Sequence, residues 1–329
     1  KVYQDNKDAK ILKVLKESVD FSQYFVYPNG YYAGSTGSRN TLHFYPHGYE
    51  ILGKDIPLAG AIAKKMKKGL AENKLVPPEI MSDRYLFYRV PEFLLSYIDC
   101  DEENHKDDIL KWEKGDFSDY FERSRVFVKT GGKYYLIVNF AKGGVVKLFN
   151  RESGELLVND CGIVGLTNEG KTLTSQWVDK DYKVEIKDNI FTVSGTMNVV
   201  PSQKLFSLFK NLLFRGTLLL LGWNPSFAHY LKGKIRKTLI LDQKKAPVDF
   251  IRQIEWKNSS MIIKDEMKIT GNVDFKSVMF GDEFFVRYVP QSRFFQLQEL
   301  DIEGYVLNDS ELSKLNTEKT FRRESVNNL

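Results

Sequence analysis

The sequence predicts an α+β protein, with an α-helical N-terminal segment followed by a large antiparallel β-sandwich. Three observations carry this. Before about residue 112, apolar residues recur mostly at helical spacing. From about residue 119 the period becomes alternating, in short runs separated by turn residues. Most of these runs follow one another with no helical pattern between them, which describes antiparallel sheets stacked as a sandwich. The charged connector DEENHKDD at 101–108 precedes the change. It divides the chain into a helical domain over 1–115 and a sandwich over 116–329.

Residues 8–19 place Ile11, Leu12, Val14, Leu15 and Val19 on one helical face, with Lys10, Lys13 and Lys16 turned outward. Pro28-Asn29-Gly30 marks a turn. Gly34, Gly37, Pro46 and Gly48 then predict a long ordered loop over 28–50. A helix follows, with Asp55 as N-cap, Pro57 just inside, and Ile62, Met66 and Leu70 on its buried face. Its lysines, 64, 65, 67 and 68, read as a solvated face. Val76-Pro77-Pro78 ends that pattern. Pro91 opens a further helix, EFLLSYIDC, apolar nearly all round and so expected to be buried.

In the second half, runs at 125–128 and 134–140 flank Thr130-Gly131-Gly132-Lys133, a hairpin signal. Runs at 145–149 and 155–158, and at 183–186 and 190–200, form two more. Later runs lie at 250–256, 261–269, 273–280, 284–289 and 294–300. The tail beyond about residue 313 is polar and reads as loosely held. One segment breaks the β habit: KLFSLFKNLLFRGTLLLLGW, residues 204–223, strongly apolar but carrying Lys204, Lys210 and Arg215. Its uncharged run is too short for a membrane span and is punctuated by Gly222 and Pro225. It reads as a basic, apolar helical insertion near 203–237, either packed on the sandwich or lying on an anionic membrane surface.

The 329 residues suffice for two domains. A formal net charge of +5 is modest and gives no reason to expect nucleic acid, while it suits an acidic ligand or an anionic surface. The chain opens on Lys1 without a signal-peptide pattern, which points to a processed or partial product. Cys100 and Cys161 are too few for a disulfide framework or a zinc site, and both read as buried free thiols. They leave the redox compartment open; an extracytoplasmic or cell-envelope location is favoured. No phosphate loop, nucleophile elbow, zinc pattern or nucleotide fingerprint appears, so no cofactor and no metal are expected.

Residues 31–50, YYAGSTGSRNTLHFYPHGYE, concentrate the chemistry. Arg39 is a permanent cation able to pair with a carboxylate. Asn40 both donates and accepts. His43, Tyr45, His47 and Tyr49 are types that move protons. Two of the four histidines lie here. A loop that merely packs, with its polar groups bonded to backbone, fits the same composition. His43 and His47 are four apart, but Pro46 and Gly48 argue against a helix, and no third ligand completes a metal site. His105 reads as a solvated loop residue, and His229 receives no role.

The phrases GSTGSRNTLHFYPHGYE, LVPPEIMSDRYLFYRVPEFLLSYID and YYLIVNFAKGGVVKLFN, in this order, give the chain a resemblance to the heparinase II/III-like polysaccharide lyases. The resemblance implies that residues 1–115 are the last part of an (α/α) toroid and that the cleft between toroid and sandwich binds acidic sugar chains. The family draws catalytic residues from earlier toroid helices that this sequence lacks. A lyase would work by β-elimination. Arg39 and Asn40 would neutralise the uronate carboxylate. His43 or His47, with Tyr45 or Tyr49, would remove the C5 proton and protonate the leaving oxygen. Arg84 and Arg89 are candidate substrate contacts, or surface partners of Asp83 and Glu92. Two further readings are a non-catalytic module for glycan binding or polysaccharide assembly, and a peripheral membrane partner acting through 204–237. Oligomeric state is not fixed by the sequence.

Overall fold

The computed structural model describes residues 2–37, 42–77, 79, 81, 83–100, 108–200, 208–221, 223–236, 244–257, 259–281 and 304–329. The alternating runs build two antiparallel sheets. β1 (Ser118–Phe121), β2 (Val126–Gly131), β3 (Tyr134–Asn139), β4 (Val145–Asn150) and β5 (Leu156–Asp160) form a five-stranded meander. The glycines of the first hairpin make its turn, with Gly132 at φ +56°. Among the described residues, the second sheet has nine strands. They are β6 (Ile163–Thr167), β7 (Thr172–Thr174), β8 (Lys183–Lys187), β9 (Ile190–Val199), β10 (Lys244–Lys257), β11 (Ser260–Ile269), β12 (Phe275–Phe280), β13 (Tyr305–Val306) and β14 (Thr320–Asn328). Their order is β13-β12-β6-β7-β9-β10-β11-β14, with β8 added beside β9. Pro247 lies inside β10, where the ladder to β9 shifts register between Lys245 and Asp249. A bulge is where a strand tolerates a residue without an N–H.

Among the described residues, six α-helices precede the sheets: α1 (Val2–Asn6), α2 (Ala9–Ser22), α3 (His47–Leu52), α4 (Pro57–Ala71), α5 (Asp83–Ile98) and α6 (Lys111–Lys114). The five-stranded sheet is buried on both faces, which explains why YYLIVN in β3 reads as a continuous apolar run. Leu136, Val138, Val146 and Leu148 face the larger sheet, against Ile163, Phe191, Phe250 and Ile254. Tyr135, Ile137 and Phe149 face the helical side, against Tyr24, Val26, Tyr27, Ile62 and Met66. Each such side chain contributes about 1.5–3 kcal/mol of apolar burial, so both layers depend heavily on this one sheet. Helix α4 reaches it by a close approach to the Pro28-Asn29-Gly30 turn: a Cβ on Gly69 would collide with the Gly30 carbonyl oxygen.

Between β9 and β10 the chain forms α7 (Leu208–Leu221) and α8 (Pro225–Arg236). Among the described residues, no helix is long and apolar enough to cross a membrane. Helix α9 (Asp309–Glu318) carries an Asn308 capping box and leads into β14.

The structure corrects five expectations. Residues 28–50 are not wholly loop, because α3 starts at His47 with Pro46 as its N-cap at φ −75°. A proline is tolerated there, since the first helical N–H groups have no partner to lose. The N-cap of α4 is Ile56, not Asp55, whose carboxylate instead pairs with Lys7 at 3.3 Å; Pro57 does lie in the first turn. Helix α5 starts at Asp83, eight residues before Pro91, and it is not buried. Phe87, Tyr88, Val90, Leu94, Leu95, Tyr97 and Ile98 are all exposed. Cys100 is half-buried, whereas Cys161 is buried as expected. The tail is not loose: β14 pairs with β11 along Thr320–Asn328. The runs at 284–289 and 294–300, and His105, lie outside the described residues.

Candidate functional site

The segment before the site is pinned to the sheet. The Tyr27 hydroxyl bonds the Thr36 hydroxyl and donates to the Ala33 carbonyl at 2.8 Å. Asn139 Nδ2 donates to the Thr36 carbonyl at 2.7 Å. Lys142 Nζ, in the β3–β4 connection, donates to the carbonyls of Ser35 and Gly37. Past residue 41 the chain alternates: Leu42 and Phe44 are buried in the helical core, while Tyr45 is 41% exposed.

Arg89 sits at the centre. Its side chain is only 1% exposed. It donates to the Phe44 carbonyl and lies over the rings of Tyr45 (4.5 Å to the centroid) and Phe93 (4.7 Å). Burial pulls its pKa down, partly offset by Tyr45 and by the charge of Glu92. The His43 imidazole stacks on Tyr85, with centroids 5.5 Å apart and 13° between planes. Burial first, and the Arg89 charge second, lower its pKa to about 4. His43 is therefore a neutral imidazole near pH 7, able to accept a proton or a hydrogen bond. His47 belongs to a different arrangement. Its Nε2 is 2.7 Å from Asp99 Oδ2, and its backbone N–H donates to Glu92 Oε1 at 3.2 Å. A carboxylate on one ring nitrogen fixes the tautomer and leaves the other nitrogen for chemistry.

The structure thus brings His43, Tyr45 and Arg89 together, with His47 held nearby in sequence by Asp99 and Glu92. Tyr49 turns away: it stacks on Phe44, centroids 5.1 Å apart, and hydrogen-bonds Tyr32, whose hydroxyl burial pushes far up. Arg89 is buried and so is not a surface partner of Asp83 or Glu92; its contacts are the Tyr45 and Phe93 rings and the Phe44 carbonyl. Arg39 and Asn40 lie outside the described residues, as does the Arg84 side chain. Tyr85, Phe93 and Asp99 were not expected here, and Glu92 only as a surface partner of the arginines. Their signal was the spacing Tyr85, Arg89, Phe93, a four-residue stripe on α5. Taking Pro91 as the start of that helix hid it.

Among the described residues, no group of three or more His, Cys, Asp or Glu could hold a metal. A cavity of about 770 Å³ lies elsewhere, between α4, the 28–30 turn and the β4–β5 hairpin. Lys65, Lys68, Lys74 and Arg151 line it, facing Glu72, Glu113, Glu152 and Glu155. Lys65 pairs with Glu113 at 3.1 Å and Lys68 with Glu72 at 3.8 Å. Four cations against four carboxylates, several already paired, give no net preference for an anion. A second cavity, about 390 Å³, adjoins Tyr182, Lys245 and Asp249. Neither contains a residue of the 31–50 stretch.

No protein-family model matches the sequence, and no curated protein matches it. Among solved structures, the 4-alpha-glucanotransferase from Thermococcus litoralis is similar over 72% of this chain and 36% of its own, at 10% identity and a TM-score of 0.34. The chain therefore spans about a third of that protein's length, and at this level of likeness nothing about function follows.

Proposed function

We propose that the chain is a lyase-like protein of the heparinase II/III type, acting on acidic, uronate-containing glycans by β-elimination. The single observation that supports this reading is the grouping around Arg89: a buried guanidinium against an exposed phenol, Tyr45, beside a neutral imidazole, His43. In the proposed reaction Arg39 and Asn40 neutralise the substrate carboxylate. This makes the C5 proton acidic enough to remove. Tyr45 reacts as its phenolate, with Arg89 facing that charge; its oxygen takes the C5 proton and becomes the neutral phenol. His47 reacts as its imidazolium: with Nε2 held on Asp99, it gives its Nδ1 proton to the leaving glycosidic oxygen and is left neutral. The C5–H bond and the C4–O bond break, and a C4–C5 double bond forms. In this reading residues 1–115 are the end of an (α/α) toroid.

The test is a screen of uronate polymers for the near-ultraviolet absorbance of the unsaturated product. The expected result is absorbance with at least one polymer, reduced about 10²–10⁴-fold by Tyr45→Phe, with binding of that polymer retained. A polymer that binds without giving absorbance, and whose binding Tyr45→Phe leaves intact, would make the chain a non-catalytic glycan-binding module. No binding and no absorbance with any polymer overturns both.

A further inference from the structure

The α7–α8 pair stands apart from both cores. None of its described residues belongs to either buried core. Leu208, Phe209, Leu212, Leu213 and Leu219 are 63–84% exposed, and at 3.6 residues per turn they share one face of α7 spanning roughly 140°. Trp223, in the connection to α8, is 83% exposed, and Tyr230 on α8 is 58% exposed. A soluble surface rarely leaves so many large apolar side chains together without something to cover them.

The charge pattern says what covers them. From residue 189 to residue 241 there is no Asp or Glu, while the same stretch carries seven Lys and Arg, among them Lys204, Arg215 and Lys237. The whole chain is formally +5, so without these seven the remainder is −2. A second copy of this face would set cations against cations. An anionic bilayer complements it: leucines enter the acyl boundary, Trp and Tyr suit the headgroup level, and long basic side chains reach outward to the phosphates. At 14 residues α7 is about 21 Å long, short of the roughly 30 Å hydrocarbon core. The geometry is that of a helix lying in the interface.

We propose that the α7–α8 hairpin docks the protein on anionic membrane surfaces, with the Leu208–Leu219 face of α7 set into the headgroup boundary. This stands independently of the glycan reading. The test is flotation of the full chain with phosphatidylcholine vesicles, with and without phosphatidylserine. Binding is expected at low salt only where phosphatidylserine is present, and salt is expected to release it. Trp223 fluorescence should shift to the blue and be quenched by brominated acyl chains. The double variant Leu212→Glu, Leu219→Glu should lower the bound fraction roughly tenfold or more with an unchanged melting temperature. The proposal is overturned by absence of flotation at low salt, or by flotation that neither phosphatidylserine nor the variant affects. It is also overturned by lipid-free self-association that the variant disperses, which assigns the face to a second copy. If the variant melts early, quenching in the unaltered chain decides alone, and no quenching overturns the proposal.

Discussion

Among the described residues, two arginines are buried to within 1% of full enclosure, and they are held in opposite ways. Arg252, on β10, meets Asp265 through Nε at 2.7 Å and Nη2 at 3.0 Å, and Asp160 through Nη2 at 2.7 Å. Arg323 of β14 closes the group against both aspartates, at 3.3 and 3.6 Å. Burial opposes the charge on Arg252, but the two carboxylates outweigh it and drive its pKa up. At Arg89 burial wins, and the pKa falls. That guanidinium has a carbonyl, a hydrogen bond with Tyr45, two aromatic rings and the more distant charge of Glu92, and its Nε has no hydrogen-bond partner among the described residues. A buried charge with full pairing fastens a structure. One held beside an exposed phenol, with pairing left incomplete, has capacity for chemistry in a neighbour.

The comparison breaks first at Arg252. Arg252→Met leaves the Asp160 and Asp265 carboxylates buried with only Arg323 between them. Loss of one side of such a group costs about 3–5 kcal/mol, read as a lowered urea midpoint. Arg89→Met is expected to cost about 1 kcal/mol or less. It loses the hydrogen bonds to the Phe44 carbonyl and to Tyr45 but relieves an incompletely paired buried charge. On the proposed function, the same change lowers glycan cleavage about 10²-fold. If Arg89→Met unfolds the protein while Arg252→Met does not, the two roles are reversed.

Acid sharpens the contrast. His43 has its pKa lowered to about 4 in the fold from an ordinary 6.5. Between those values the unfolded chain binds more protons, so stability rises with pH across the window and falls on acidification. His43→Phe, which keeps an aromatic ring against Tyr85, should flatten that part of a plot of urea midpoint against pH. Asp160 responds lower. Burial alone would raise its carboxyl, but Arg252 and Arg323 outweigh this and hold it below the usual carboxylate range. Its contribution is complete above the ordinary carboxylate pKa and is lost as pH falls through the depressed one. The two slopes separate by pH.

Much of the sheet architecture was legible in the sequence. The hairpins announced themselves because their turns demand particular residues, such as Asp188 and Gly132 at positive φ. What stayed hidden depended on contacts far along the chain. β14 was obscure because its half-buried face is Phe321, Arg323, Ser325 and Asn327, which shows alternation only to a reader who knows that Asp160 and Asp265 await Arg323. The candidate site divides in the same way. His43, Tyr45 and His47 were visible as residue types in a glycine-loosened segment. The environment of Arg89 was not, because it is made by the Phe44 carbonyl, 45 residues away. The exposed face of α5 was misjudged for a simpler reason: apolar composition says that a face seeks cover, not that this chain supplies it.

The smallest expected effect tests whether burial or pairing sets the value of an arginine. Arg322 and Arg323 are neighbours on β14, pointing to opposite faces. Arg322 pairs with Glu266 through Nε at 3.0 Å, but its side chain is 76% exposed. Solvent and salt screen such a pair, and exposed pairs are worth about 0–1 kcal/mol. Arg322→Ala should therefore leave the urea midpoint nearly unchanged, and the small change should vanish in high salt. Arg323→Ala removes one of the two cations shared by Asp160 and Asp265, along with its contact over the Phe280 ring at 5.3 Å, and its cost should persist in salt. Equal effects from the two would mean that a charge-paired geometry suffices wherever it lies. That result would remove the ground for treating Arg89 and Arg252 as different kinds of residue.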